Sequence, residues 1–381
     1  MTTPRERVSA ALAHRESDRV PIDIGGTLAT SITSGAYGPL RAHLGLAPAD
    51  PDAIFEQTQQ LPYLGDDILA RLGADTRAVA MPPELAFRPE LRDDGAYRAW
   101  TDAWGATLRM PKRGGLYYDW VGHPLREVSD AAIDAYRWPE FETADELAAL
   151  RAEAERLRTE TDYALVGAAN LGSGIFEQAC LMAGMEEFMM AMLSDRPAAE
   201  RLLDGITDFL VEEARRYLAE VGHLIDVYQY GDDVATQLDW MIGPELYQAL
   251  IKPRQRRLFD AIHAATDAKL MYHGCGAVFE LIPHLIDIGV DVLNPVQVSA
   301  RGMGSARLKA AYGKDIVFWG GGLDTQRVLP FGTPQEVRDE VRRRIDDFAP
   351  GGGFVFAAVH NIQAGVPPEN IVAAFDAARE G

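Results

Sequence analysis

Short apolar runs that alternate with helical segments constrain the fold of this chain more than any other feature of its sequence. Each run is continuous and short, as is typical of a strand buried on both faces of a parallel sheet. The runs are residues 20–25, 76–80, 163–169, 224–230, 269–275, 290–296, 316–320 and 354–359. Eight strands alternating with helices predict an α/β fold, a (β/α)8 TIM barrel, with an open doubly wound sheet as the alternative.

The predicted helices begin at recognisable capping signals. A threonine followed three residues later by a glutamate opens the segments at Thr3, Thr143 and Thr333, and proline follows the first and the third. Such a box satisfies amide groups of the first helical turn. The first box predicts an N-terminal helix ahead of the first strand. Residues 81–130 break the alternation and predict a short β excursion beside the barrel mouth, so that 1–381 forms a single domain.

The charge balance excludes several classes of partner. Lysine and arginine total 37 against 57 acidic residues, a formal charge of -20, which repels nucleic acid and anionic membranes. No apolar run approaches the roughly 20 residues of a membrane span, and the chain opens without an apolar signal segment. Two cysteines are too few for a disulfide scaffold. We therefore expect a cytoplasmic protein. Cys180 lies in a Met-rich helical segment and is predicted to be a core residue.

One strand end carries two metal-ligating residue types. His273 and Cys275 close the run 269–275, and residues two apart on a strand point to the same face. Imidazole and thiolate are both good zinc ligands. His360 ends the last apolar run, where it is a third ligand, a general acid or a core residue. Two strand ends that converge favour a metal site over a structural histidine and cysteine.

Other polar and aromatic residues also follow predicted strands. Active sites of (β/α)8 barrels lie at the carboxyl ends of their strands. Asp232 is predicted to be a fourth ligand, a catalytic group, a residue that orients a ligand, or the cap of the following helix. The residues predicted to line a substrate pocket, or in the case of the two aromatic ones to pack in the barrel, are Asn170, Tyr230, Gln297, Trp319 and Asp324.

The number of ligands indicates which kind of zinc site is expected. Structural zinc sites are closed by four protein ligands, whereas catalytic sites keep one position open. Three ligands are on offer here, which favours a catalytic ion. Such an ion converts a thiol into a thiolate, acidifies water or polarises a substrate oxygen.

Several motifs together resemble the uroporphyrinogen decarboxylase superfamily over nearly the whole chain. The opening residues 4–8 and 18–21 resemble the start of that superfamily, and the ending 366–371 resembles an ending that both of its branches share. Five segments resemble its methyltransferase branch: residues 231–237, 244–247, 273–276, 289–294 and 331–334. The resemblance implies a (β/α)8 barrel and, for this branch, a zinc enzyme that moves a methyl group between a corrinoid protein and a thiol.

The resemblance also carries residue roles to this chain, with one departure. His273 and Cys275 match the zinc-binding H-x-C of the branch, but no cysteine follows Cys275, and His360 stands close to where the third ligand would be. The chain lacks a corrinoid-binding D-x-H-x-x-G signature, so the corrinoid would be carried by a separate partner protein. A homodimer is the other partner considered.

The position of His360, just before the ending 366–371, instead resembles the pattern of the decarboxylase branch. The arginine-rich loop of that branch is replaced by residues 25–30, and its expected tyrosine by Leu181. A porphyrin with several carboxylates would then lack cationic partners. The prediction is a zinc-dependent methyltransferase. The alternatives are a metal-independent decarboxylase or lyase on a non-porphyrin substrate, with His360 as acid and Asp232 as base, and a binding module without turnover.

Overall fold

The computed structural model describes residues 2–83, 88–169 and 172–381, and it has a mixed α/β architecture. The strands are β1 (Ile54–Glu56), β2 (Leu61–Pro62), β3 (Thr76–Val79), β4 (Arg92–Asp94), β5 (Tyr97–Thr101), β6 (Thr107–Pro111), β7 (Asp119–Gly122), β8 (Ala164–Gly167), β9 (Val227–Gly231), β10 (Lys269–His273), β11 (Val292–Asn294), β12 (Val317–Trp319) and β13 (Phe354–Val355). Seven of them form a curled parallel sheet in the order β13-β12-β11-β10-β9-β8-β3. This sheet is a half-barrel of the TIM-barrel-like kind.

The described residues contain fifteen α-helices, and helices follow most strands of the parallel sheet. They are α1 (Pro4–Leu12), α2 (Ser34–His43), α3 (Asp66–Leu72), α4 (Asp130–Ala135), α5 (Ala144–Glu160), α6 (Ile175–Ala183), α7 (Met185–Ser194), α8 (Arg196–Val221), α9 (Pro244–Leu246), α10 (Lys252–Ala265), α11 (Ile282–Asp287), α12 (Ser305–Tyr312), α13 (Val328–Phe331), α14 (Pro334–Phe348) and α15 (Pro368–Glu380). The capping boxes predicted at Thr3, Thr143 and Thr333 are confirmed at the starts of α1, α5 and α14.

The first predicted strand, 20–25, is present only as a single parallel bridge between Ile22 and Phe356. The Ile22 amide donates to the side chain of Asp75 at 2.8 Å instead of to a neighbouring strand. The Ile22 carbonyl nevertheless accepts the Asp75 amide, and the Pro21 carbonyl accepts the Phe356 amide. The segment therefore hydrogen-bonds on both sides without forming a regular ladder.

The two faces of the parallel sheet bury different cores. Val166, Met271 and Val355 belong to an inner core that α1 closes with Val8 and Ala11. Residues on the opposite face pack against the helix layer in a much larger outer core. Because strand side chains alternate between faces, this division decides which residues at the strand ends point inward.

The predicted β excursion is an antiparallel sheet in the order β4-β5-β6-β7. It has a small core of its own, formed by Trp100, Leu108, Met110 and Tyr118. The Tyr118 amide donates to the Thr58 carbonyl, which ties this sheet to the segment before α3.

Among the described residues, none of the helices combines the length and the apolar character that a membrane crossing requires.

Candidate metal centre

Strand β10 directs His273 and Cys275 to one place. Met271 lies in the inner core, so His273, two residues further along, points to the same side of the sheet. The Cys275 Sγ atom lies 3.7 Å from His273 Nε2. The imidazole and the thiol thus leave the strand end side by side, as the sequence predicted.

His360 completes the group. Its ring centroid lies 5.4 Å from that of His273, and one ligand atom each from His273, Cys275 and His360 all lie within 4.8 Å of one another. We call these three residues the ligand cluster. His360 has a φ of 63°, a left-handed conformation that is strained for a residue other than glycine. Such strain is typical of functional sites.

Asn294 fixes the orientation of His273. Its Nδ2 donates to the Trp319 carbonyl at 2.9 Å, which leaves Oδ1 as the atom 2.6 Å from His273 Nδ1. An amide oxygen only accepts, so His273 carries its proton on Nδ1 and turns the Nε2 lone pair towards Cys275. Metal-binding histidines are commonly oriented by such a partner.

Burial and neighbouring charges lower the pKa of His360 and raise the pKa of Cys275. Burial, and then the neighbouring His273, lower the pKa of His360 to about 3, so its ring is neutral. Burial, and then the carboxylates of Asp233 and Glu177, raise the pKa of Cys275 well above that of an ordinary thiol. A cation is therefore needed to hold Cys275 as a thiolate, which is what a zinc ion provides.

One contact of His360 bears on its role. Its Nδ1 accepts the backbone N–H of Asn361 at 2.8 Å. The neutral ring then carries its proton on Nε2, where it is a hydrogen-bond donor. A metal held through Nε2 would require this proton on Nδ1 instead, at the cost of the hydrogen bond from Asn361.

The loop after β10 is built around the backbone amides that flank the thiol. The Cys275 amide donates to Asp233 Oδ1 at 2.7 Å, and the Gly276 amide donates to Gln297 Oε1 at 2.8 Å. Gly276 has a φ of 100°, and a Cβ there would lie 2.5 Å from the Thr236 carbonyl oxygen. Only glycine therefore allows this close approach.

A cavity of about 310 Å³ opens beside the ligand cluster. It is lined by Ala235, Thr236, Gln237, Cys275, Gly276, Gln297, Thr325, Gln326, Val359 and His360. Two members of the ligand cluster thus face a space of small-molecule size. Gln297, predicted to line a substrate pocket, lines this one.

Asp232 lies close to the ligand cluster but is directed away from it. Its carboxylate accepts four hydrogen bonds, from the Phe176 and Glu177 amides, the Tyr230 hydroxyl and Gln255 Nε2, at 2.9–3.2 Å. The amides belong to the first turn of α6, so Asp232 caps this earlier helix and not the helix that follows it in the chain. At Gly174 a Cβ would come within 2.3 Å of the Asp232 side chain, which shows how tightly this contact is packed.

The remaining predicted pocket residues lie in different places. Tyr230 is on the outer face of β9, packed with the helix layer, because Val227 occupies the inner face. Trp319 is fully buried in the inner core, where its Nε1 donates to Asp23 Oδ2 at 2.7 Å. Asp324 accepts the Gln326 amide at 2.8 Å. Neither aromatic residue lines the cavity, and Asn170 lies outside the described residues.

Two further residues near predicted strand ends contact the ligand cluster in ways that the sequence did not predict. Asn294 pairs with His273 across β10 and β11, and both continue the inward face of their strands. Alternation along the two strands could have identified it. Asp233, which holds the Cys275 amide, depends on a loop conformation for which the sequence gives no signal.

A family model described as uroporphyrinogen decarboxylase (URO-D) matches residues 99–381. The chain belongs to the uroporphyrinogen decarboxylase family. No curated protein matches it. A methyltransferase from Methanosarcina mazei has a similar structure, with a TM-score of 0.66 and 18% identity over 100% of this chain and 99% of that one. This likeness supports the TIM-barrel-like fold of the chain.

Two glycosidases show weaker structural likeness to this chain. A β-glucosidase from Pyrococcus furiosus has a TM-score of 0.42 at 9% identity over 82% of this chain and 83% of that one. A GH113 β-1,4-mannanase has a TM-score of 0.41 at 11% identity over 94% and 98% of the two chains. Neither carries an argument about this protein.

Proposed function

We propose that the protein is a zinc-dependent methyltransferase that moves a methyl group between a small substrate or thiol and a corrinoid carried by a separate protein. The observation that carries the proposal is the ligand cluster, whose ligand atoms lie within 4.8 Å of one another beside a cavity. The methyltransferase likeness of the sequence motifs in 231–237 and 273–276 gives the reaction class.

The donor set suits zinc. One thiol and two imidazoles are ligands that zinc accepts in tetrahedral sites, and three protein ligands leave a position for a substrate. When bound, zinc stabilises a thiolate or polarises a donor oxygen. His273 and Cys275 would hold the ion with His360, and Asn294 would keep His273 Nε2 directed at it. Gln297 would hold the substrate in the cavity.

The fold proposal accompanies the functional one. We infer that the segment around Ile22 supplies the remaining strand of a (β/α)8 barrel, which is the first in chain order. It hydrogen-bonds to Phe356 on one side and to Asp75, next to β3, on the other. A closed barrel gathers the ends of β10 and β13 at one mouth, as the proposed site requires.

A metal-independent lyase is the second candidate. It is favoured by the Asn361 contact, which leaves an N–H group on His360 Nε2 that can donate a hydrogen bond to a substrate. This candidate expects turnover that survives strong chelation and Cys275→Ser. The methyltransferase expects neither.

Metal analysis of protein purified without chelator tests the proposal. We expect one zinc per chain in the wild type and none in Cys275→Ala. Cys180→Ala is the matched control, because Cys180 is buried in α6 and should leave the zinc content unchanged. Zinc-loaded protein should then demethylate methylcobalamin in the presence of a small thiol. Absence of zinc from the wild type, or equal zinc in Cys275→Ala, would refute the proposal.

A further inference from the structure

One short segment contacts the neighbours of all three members of the ligand cluster. Residues 319–325 begin at the last residue of β12, and we call them the support segment. In the sheet order β13-β12-β11-β10, β12 lies between the two strands that carry the ligands. The support segment reaches His273, Cys275 and His360 by three separate routes.

The route to His273 passes through Asn294. The Trp319 carbonyl accepts Asn294 Nδ2 at 2.9 Å, and Asn294 Oδ1 lies 2.6 Å from His273 Nδ1. Asn294 is fully buried, so water does not compete for these two contacts. The place of one backbone carbonyl in the support segment therefore decides how the imidazole ring of His273 is oriented.

The route to Cys275 begins at a strained turn. Val296 is fully buried and has a φ of 57°, which is a genuine outlier for a β-branched residue. Two glycines of the support segment pack against this turn. A Cβ at Gly320 would lie 2.3 Å from the Pro295 carbonyl oxygen, and one at Gly321 would lie 3.0 Å from the Val296 carbonyl oxygen. Such a conformation persists only where its surroundings impose it.

Gln297 carries this packing to the loop that holds the thiol. It follows Val296 directly, it is 6% exposed, and its Oε1 accepts the Gly276 amide at 2.8 Å. Asp233 holds the amide of Cys275 itself. The loop thus has two anchors, and Gln297 is the anchor that is joined to the support segment.

The route to His360 passes through the residue before it. The Val359 amide donates to the Leu323 carbonyl at 3.0 Å, and the Val359 carbonyl accepts the Thr325 hydroxyl at 2.5 Å. The support segment therefore holds both polar backbone groups of Val359. His360 needs such an anchor, because its own left-handed conformation is strained.

We propose that the support segment positions the metal centre: it sets the spacing of the three ligand atoms and supplies no ligand itself. These atoms come from the loops after β10 and β13, which are not neighbouring strands, yet all lie within 4.8 Å of one another. Their spacing thus depends on what joins the two loops. The inference rests on the proposed function only for the statement that the ligand cluster holds a metal.

Gly321→Ala tests the route to Cys275 with a small perturbation. The added methyl group would meet Val296 at 3.0–3.1 Å, so the turn has to shift by a few tenths of an ångström. Gly351→Ala is the matched control. Gly351 has a φ of 75° against 70° for Gly321, but no atom of the described residues lies within 4 Å of its added Cβ. The backbone cost is thus similar, and only Gly321→Ala presses on the turn.

Hydrogen exchange in metal-free protein measures the coupling without a bound ion. We expect the peptide with Cys275 and Gly276 to exchange about tenfold faster in Gly321→Ala than in the wild type or Gly351→Ala, because the Gly276 amide loses its acceptor. Gln297→Met, which removes this acceptor, should have the same effect, whereas Gln297→Glu keeps it and should preserve protection. Unchanged exchange in Gly321→Ala or in Gln297→Met would overturn the proposal.

The cobalt-substituted protein reports whether the coupling reaches the ligand geometry. We expect its absorption to change in Gly321→Ala and Gln297→Met, with zinc affinity lower by about 10–100-fold, and to be retained in Gly351→Ala and Gln297→Glu. A merely structural role would lower the thermal stability of the metal-free variants and leave the spectrum as in the wild type. That result would overturn the proposal.

Thr325→Val tests the route to His360. It removes the hydroxyl group that the Val359 carbonyl accepts, whereas Thr325→Ser keeps that group. We expect the cobalt spectrum to change in the valine variant and to be retained in the serine variant. A response confined to the route to Cys275 would contradict the assignment of the whole segment.

Failure of the proposed function would be recognised separately. If the wild type binds neither zinc nor cobalt, the zinc enzyme is refuted, while hydrogen exchange in metal-free protein still decides whether the support segment holds the Cys275 loop. If the wild type binds zinc and the variants bind it equally well, the support segment does not position the metal centre, and the proposed function stands.

Discussion

Two polar clusters lie at neighbouring strand ends and differ in how far their hydrogen bonds are satisfied. The ligand cluster follows β10 and β13. The second, which we call the carboxylate network, consists of Asp232, Tyr230 and Gln255 with the first amides of α6. The two are joined by the hydrogen bond from the Asp232 amide to the His273 carbonyl at 2.9 Å.

The carboxylate network uses its polar atoms within the protein. Four donors meet the Asp232 carboxylate, the Tyr230 hydroxyl also accepts the Ile175 amide, and Gln255 Oε1 accepts from Tyr247. In the ligand cluster, by contrast, the atoms that could bind a metal face one another. A buried aspartate at a strand end of the half-barrel can thus be structural, whereas ligand atoms gathered beside a cavity indicate chemistry.

Replacing a residue of the ligand cluster should give the largest effect on metal binding. His273→Ala removes a ligand, so we expect zinc affinity to fall by more than the roughly 10–100-fold that outer partners contribute. The free energy of unfolding of the metal-free protein should fall by only about 1 kcal/mol, because this side chain makes one strong hydrogen bond, to Asn294, and one weak contact, with Cys275 Sγ. Zinc competition with a chromophoric chelator and thermal unfolding measure both. Unchanged affinity would remove His273 from the site.

Replacing a residue of the carboxylate network should do the reverse. Asp232→Ala leaves the α6 amides, Tyr230 and Gln255 without their acceptor, and we expect the free energy of unfolding to fall by about 3 kcal/mol. Zinc content should stay at the wild-type level. Loss of zinc from a variant that is still folded would instead make Asp232 a ligand, as the sequence had allowed.

Periodicity explains which of these features could be predicted from the sequence. The apolar runs, the capping boxes and the H-x-C pair depend on local spacing, and they identified most of the parallel strands and the ligand cluster. The exceptions depend on contacts between distant segments. Ile22 does not form a regular strand because Asp75 takes its amide, and Asp232 turns towards α6 because Gly174 brings that helix close.

The sequence also did not predict on which face of the sheet a residue at a strand end lies. Tyr230 and Trp319 end apolar runs just as His273 does, yet the first packs outside the sheet and the second inside its core. A pattern of continuous apolar residues is the same on both faces, so it cannot distinguish them. Asn294 could have been found from alternation, once His273 was assigned to the inner face.

Asn294 should control metal affinity without being a ligand. Asn294→Ala frees the His273 ring to rotate and change tautomer, and we expect zinc affinity to fall about 10–100-fold. Asn294→Asp keeps the acceptor oxygen but loses the hydrogen bond to the Trp319 carbonyl, so it should restore part of the affinity. The absorption of the cobalt-substituted protein, which reports the ligand geometry, should change in the first variant and be retained in the second. If the alanine variant binds zinc as the wild type does, orientation by Asn294 is not needed.

The smallest effect should appear in how stability depends on pH in chelated protein. Burial raises the pKa of Asp232 from 3.8 to about 6, so the folded state keeps a proton that the unfolded chain releases. This contribution to stability is complete below the unfolded pKa and is lost as pH rises through 6. The pKa of His360 is lowered from 6.5 to about 3, so its contribution is present above 6.5 and is lost as pH falls towards 3.

The two clusters should therefore oppose each other between pH 4 and 6. Asp232→Asn removes one contribution, so the free energy of unfolding should rise more steeply with pH than in the wild type. His360→Gln removes the other and should make the slope more negative than in the wild type, by at most about 1.4 kcal/mol per pH unit. Urea unfolding at pH 4, 5 and 6 measures these slopes independently of each variant's overall stability. If both variants shift the slope in the same direction, then it is wrong that folding favours the protonated form of Asp232 and the neutral form of His360.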